Sequence, residues 1–121
     1  MPWFWSKKKN KMIRTIRSEK EFEDLKKKEG VLFYFSHEEC NVCKVLKPKI
    51  HDMLSDHFPG MEMCYVNVRE LPAVAGQESV FAVPTISVLF DGREFIRKSR
   101  NIGLQELYEQ ISRPYSILFE N

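Results

Sequence analysis

A chain of 121 residues, 43% of them hydrophobic and 30% charged, fits a single globular domain with room for one sheet and a few helices. A net charge of +2 gives no footing for nucleic-acid binding, and no run approaches the roughly 18 apolar residues of a membrane span. Three cysteines, an odd count, argue against a disulfide-stapled secreted scaffold and for one working pair plus a spare, in a reducing, cytoplasmic setting.

Trp3-Phe4-Trp5 stands ahead of Lys7, Lys8, Lys9 and Lys11, the wrong order for a signal peptide and too short an apolar face for a membrane-surface helix. Residues 1–14 therefore read as a packed or frayed terminal arm. Ser18 and Glu21 form a capping box, and Phe22 and Leu25 supply an apolar stripe, which predicts a helix over about Glu19–Lys28, ended by Gly30. Val31 to Phe35 is apolar on both faces, as suits a strand in the middle of a covered sheet. A second helix begins near Cys40, with Cys43, Leu46, Ile50, Met53 and Leu54 on one side. Pro48 should kink it, and Pro59-Gly60 should stop it. Met63 to Val68 reads as a buried strand parallel to the first, and Leu71 to Gln77 as a short helix opened by Pro72. After Val83-Pro84-Thr85 comes the strand Ile86–Phe90, which Asp91-Gly92 turns back into Arg93–Lys98. Leu104, Leu107, Tyr108 and Ile111 mark a last helix. Residues 113–121 then form an apolar tail, expected to pack on the domain's own surface in preference to a partner or a second copy.

The chemistry lies at Cys40-Asn41-Val42-Cys43. Two thiols two residues apart at a strand-to-helix turn put one sulfur at a helix N-terminus, where backbone N–H groups and the helix dipole favour a thiolate. The second sulfur lies one turn on, within reach of the first. Zinc would need four ligands, and the remaining candidates, Cys64, His37, His51 and His57, form no second paired motif, so no metal is expected. Cys64 reads as a small core residue.

The order of these elements, with CxxC opening the second helix, resembles the thioredoxin family over about Thr15 to Ser112. Val31–Phe35 stands where that family has its central strand, Pro48 where it has a helix proline, Val66-Asn67-Val68 where it has the next strand, Val83-Pro84-Thr85 where it has a cis-proline loop, and Asp91-Gly92 where it has a hairpin turn. The resemblance implies a thioredoxin fold, an α/β/α sandwich with a central mixed sheet. It further implies that Cys40 attacks a substrate disulfide, that Cys43 resolves the mixed disulfide, and that Val83 and Pro84, with Asn41 and Val42, contact the substrate. Disulfide-containing proteins would be the substrates, a reductase the electron donor, and no bound cofactor is needed.

Several residues depart from the family pattern. Glu39 replaces a tryptophan before the first cysteine, and Asn41-Val42 replaces Gly-Pro. Tyr34 stands where an aspartate is commonly buried behind the disulfide, Tyr65 where a lysine pairs with it, and Arg100 near a groove glycine. Glu39 would raise the pKa of Cys40 and Lys44 would lower it; Arg100 would favour acidic substrates. The competing reading is a binding module that keeps the fold but does not cycle its cysteines.

Overall fold

The computed structural model describes residues 12–119. Its strands are β1 (Arg14–Thr15), β2 (Gly30–Ser36), β3 (Glu62–Asn67), β4 (Thr85–Phe90) and β5 (Arg93–Ser99), and its helices α1 (Glu19–Leu25), α2 (Asn41–His57), α3 (Pro72–Gln77) and α4 (Leu104–Phe119). The sheet runs β1-β3-β2-β4-β5, with β1, β3 and β2 parallel and β4 and β5 antiparallel to their neighbours. The mixed sheet flanked by helices is the expected thioredoxin fold. The Trp3-Phe4-Trp5 arm lies outside the described residues.

Strand β2 is buried along its whole length, and its side chains alternate between two cores. Leu32 and Tyr34 meet Cys43, Ile50 and Leu54 of α2 and Leu107, Ile111 and Tyr115 of α4. Val31, Phe33 and Phe35 point the other way, onto Phe22 and Leu25 of α1 and Val74 of α3. An unbroken apolar run is thus what a strand covered on both faces requires. The free thiol of Cys64 belongs to the second core, on the opposite side of the sheet from Cys43.

Two boundaries differ from the sequence reading by more than a residue. Helix α1 ends at Leu25, because Lys27 and Lys28 bond back three residues, to Asp24 and Leu25, and the last turn tightens. The C-terminal segment is no tail after the last helix: α4 continues through Pro114 to Phe119. Its end folds back onto the chain's own surface, where the buried Tyr115 packs edge-on against Phe58, stacks on Phe119 at 4.5 Å and accepts the N–H of Gly60 at 2.8 Å. A Cβ at Gly60 would stand 2.8 Å from the Phe119 ring, so this approach depends on glycine. That packing holds the final turns despite the donor lost at Pro114.

Candidate active site

Central strand β2 delivers the chain to one end of the sheet at Ser36, and residues 37–40 turn it into α2. Cys40 is the N-cap of α2, in extended conformation, and its sulfur accepts the N–H of Cys43 at 3.2 Å. The two cysteines are joined in a disulfide, with Cα atoms 5.2 Å apart. Cys40 is partly exposed, whereas Cys43 is 1% exposed and faces the core. One sulfur is therefore presented to solvent at a helix N-terminus and the other is sheltered.

Behind the pair stands Tyr34, fully buried, whose hydroxyl donates to the Cys43 carbonyl at 2.8 Å. Burial, and then the neighbouring Tyr65, push its pKa far above the ordinary range. It is a neutral donor, and takes no proton from a thiol. Tyr65 sits beside it in register on β3, with the Lys47 ammonium 4.2 Å from its ring centre. Burial, reinforced by the charge of Glu38, raises its pKa also.

The carboxylates ahead of Cys40 are engaged by residues that the sequence reading did not single out. Asn67, buried at the end of β3, donates to Glu38 at 3.0 Å while its own oxygen accepts the backbone N–H groups of Arg69 and Glu70. Arg69 holds Glu39 at 2.8 Å and lies 3.9 Å from Glu38. The Asn67 hydrogen bond is the main reason that the Glu38 carboxyl is held below its usual range. Glu39 thus carries its own counter-charge, which offsets the repulsion expected at Cys40. The hint available in the sequence was a polar Asn at the end of an apolar strand, two residues before an arginine.

Val83 and Pro84 stand at the same end of the sheet, because Thr85 pairs with Phe35 of β2. Their peptide bond is cis. The Pro84 carbonyl accepts the N–H of Arg100 at 2.7 Å, and Thr85 Oγ1 donates to the Ala82 carbonyl. Val83 is half-buried and makes none of the backbone hydrogen bonds among the described residues. Cys40 and Val83 both pack against the α2–α4 core. Asn41 and Val42 are exposed at the start of α2, Val42 by 62%, and with Val45, Leu46 and Lys49 they line an open apolar hollow. Phe81, in the loop that leads to Pro84, is 89% exposed and was also missed. Among the described residues no group of three or more His, Cys, Asp and Glu side chains is placed to hold a metal ion, and no helix is long and apolar enough to cross a membrane.

A partly exposed cysteine disulfide-bonded to a buried one at the N-terminus of the helix that follows a central strand defines a protein of dithiol–disulfide chemistry. The comparisons agree with that class. The thioredoxin family model matches residues 13–113, and the chain belongs to the thioredoxin family. The thioredoxin-like protein YdfQ of Bacillus subtilis is 33% identical over 84 residues, 69% of this chain and 74% of that protein. A thioredoxin of Buchnera aphidicola is 32% identical over 87 residues, 72% of this chain and 80% of its own length. Among solved structures, Fasciola hepatica thioredoxin superposes with a TM-score of 0.74 at 27% identity, covering 84% of this chain and 98% of that one. Family and cysteine pair together give a thiol–disulfide redox function, an oxidoreductase kind of activity.

Proposed function

We propose that the protein reduces disulfides in other proteins, with Cys40 as the attacking thiol and Cys43 as the resolving one. The position of Cys40 carries this reading: it caps α2, is partly exposed, and its sulfur receives the Cys43 N–H. In the reduced pair, that donor and the helix dipole stabilise a Cys40 thiolate, while the buried Cys43 holds its proton. The Cys40 thiolate attacks one sulfur of the substrate disulfide; a mixed disulfide forms, and the departing substrate thiolate takes a proton. Cys43, deprotonated, then attacks the Cys40 sulfur, breaks the mixed disulfide and releases the second substrate thiol. The substrate gains two electrons and two protons, and the Cys40–Cys43 disulfide is returned to the dithiol by a reductase partner, with no bound cofactor. Val83, whose backbone groups are free of partners among the described residues, pairs with an extended substrate segment, and Asn41 and Val42 flank it. A reducing, cytoplasmic setting suits this direction.

Two measurements test the reading. With Cys64→Ala in place, the Cys40–Cys43 midpoint in glutathione buffers should be a reversible two-electron transition in the reducing range, near that of thioredoxins at about −270 mV. Cys43→Ser should accumulate a mixed disulfide with reducible proteins such as insulin, and Cys40→Ser should abolish reduction. A pair with no reversible transition overturns the proposal and leaves the binding module, and insulin reduction that survives Cys40→Ser overturns the role given to Cys40.

A further inference from the structure

Outside glycine, three described residues have positive φ: Ser79, Asp91 and Arg100. Ser and Asp have short polar side chains that bond their own backbone and tolerate this region, and Ser79 and Asp91 sit in turns, after α3 and beside Gly92. Arg100, at φ 66°, has no such excuse. It is the middle of a three-residue turn in which the N–H of Asn101 bonds the carbonyl of Ser99 at 2.8 Å, a tight geometry that is uncommon and strained when its central φ is positive. The surroundings hold it there, since the Arg100 N–H bonds the Pro84 carbonyl. Backbone strain imposed on a bulky residue collects at functional sites. Arg100 is exposed, its backbone is tied to the Val83-Pro84 loop, and among the described residues its guanidinium forms no ion pair with a carboxylate. The carboxylates near the disulfide, Glu38 and Glu39, lie toward β3 and are taken by Asn67 and Arg69. Across the site, the side toward β3 holds two carboxylates around the single guanidinium of Arg69, and the other, toward β5, carries an unpaired cation.

We propose that Arg100 is a specificity-determining residue that selects substrates with Asp or Glu beside the reacting cysteine, on the segment that pairs with Val83. This rests on the exchange reaction proposed above and names its substrate class. An exposed Arg–carboxylate pair is worth only a few-fold, and salt screens it. The test uses three otherwise identical single-disulfide peptides with Glu, Gln or Lys next to the attacked cysteine, and reads the ratio of kcat/KM values, which is insensitive to a loss of folded protein. At low ionic strength the wild type should reduce the Glu peptide roughly threefold to fivefold faster than the Lys peptide. The ratio should fall toward one in about 0.5 M salt and in Arg100→Gly, a residue at ease with this backbone, and should invert in Arg100→Glu. Equal reduction of all three peptides by the wild type, or a preference that persists in Arg100→Gly, overturns the Arg100 proposal alone. No reduction of any peptide overturns the exchange reaction and the Arg100 proposal with it.

Discussion

Tyr34 occupies a place behind the disulfide from which a carboxylate would take a proton, and it does the reverse, donating to the Cys43 carbonyl. Its raised pKa keeps it protonated, so its contribution is to position the first turn of α2. Tyr34→Phe should lower stability by about 1 kcal/mol, the net worth of one hydrogen bond, in urea unfolding. It should leave the pH profile of substrate reduction where it was, because no titration is removed. Arg69 acts through charge. Arg69→Ala leaves Glu38 and Glu39 uncompensated near Cys40, which raises the thiol pKa and should slow alkylation of the reduced protein at neutral pH by roughly twofold to fivefold. Arg69→Lys should restore most of that rate. The same substitution should barely move the unfolding midpoint, since both ion pairs are exposed.

Helix α4 shows how packing overrides a local signal. A proline in a helix interior removes a donor and crowds the preceding turn, yet residues beyond Pro114 remain helical because Tyr115 and Phe119 are clamped against Phe58 and the turn at Gly60. Tyr115 is the anchor, 5% exposed and hydrogen-bonded. Tyr115→Ala should cost about 3–5 kcal/mol, in line with other buried aromatic truncations, and helical signal from the last turns should fall with it. Tyr115→Phe, which keeps the ring contacts and loses only the bond to Gly60, should cost about 1 kcal/mol. If both variants lose the same amount, ring packing is not what holds the end of α4.

At the scale of the whole molecule, the sheet divides the two sulfur sites. Cys64 is fully buried beneath α1 and α3, and burial pushes its thiol up to about 12 from an ordinary 9.0. The folded chain keeps that proton where the unfolded chain releases it. The resulting stability is complete below about pH 9 and is lost as pH rises toward about 12, and buried Tyr34, shifted the same way, adds to the loss. Alkaline titration should therefore unfold the protein progressively, and Cys64→Ala should cost less stability at about pH 11 than at neutral pH. Iodoacetamide should label Cys40 in the reduced native protein and reach Cys64 only in denaturant; native labelling of Cys64 would contradict its burial.

Much of this was legible in the sequence because it depends on near neighbours along the chain. The unbroken apolar run of Val31–Phe35, the Ser18–Glu21 box, the Asp91-Gly92 turn and the CxxC spacing are set within a few residues, and each appears where the pattern put it. What the tertiary structure alone decided are contacts between segments far apart in the chain. Glu39 meets Arg69 and Glu38 meets Asn67 because β2 and β3 lie side by side in parallel and end together. Pro114 is tolerated because Gly60 lets two aromatic rings approach, and Arg100 is forced into a strained turn because Pro84 offers its carbonyl. Local pattern can state which residues fold into strands and helices; the charge around the partly exposed sulfur of Cys40 is set by which strand ends the fold brings together.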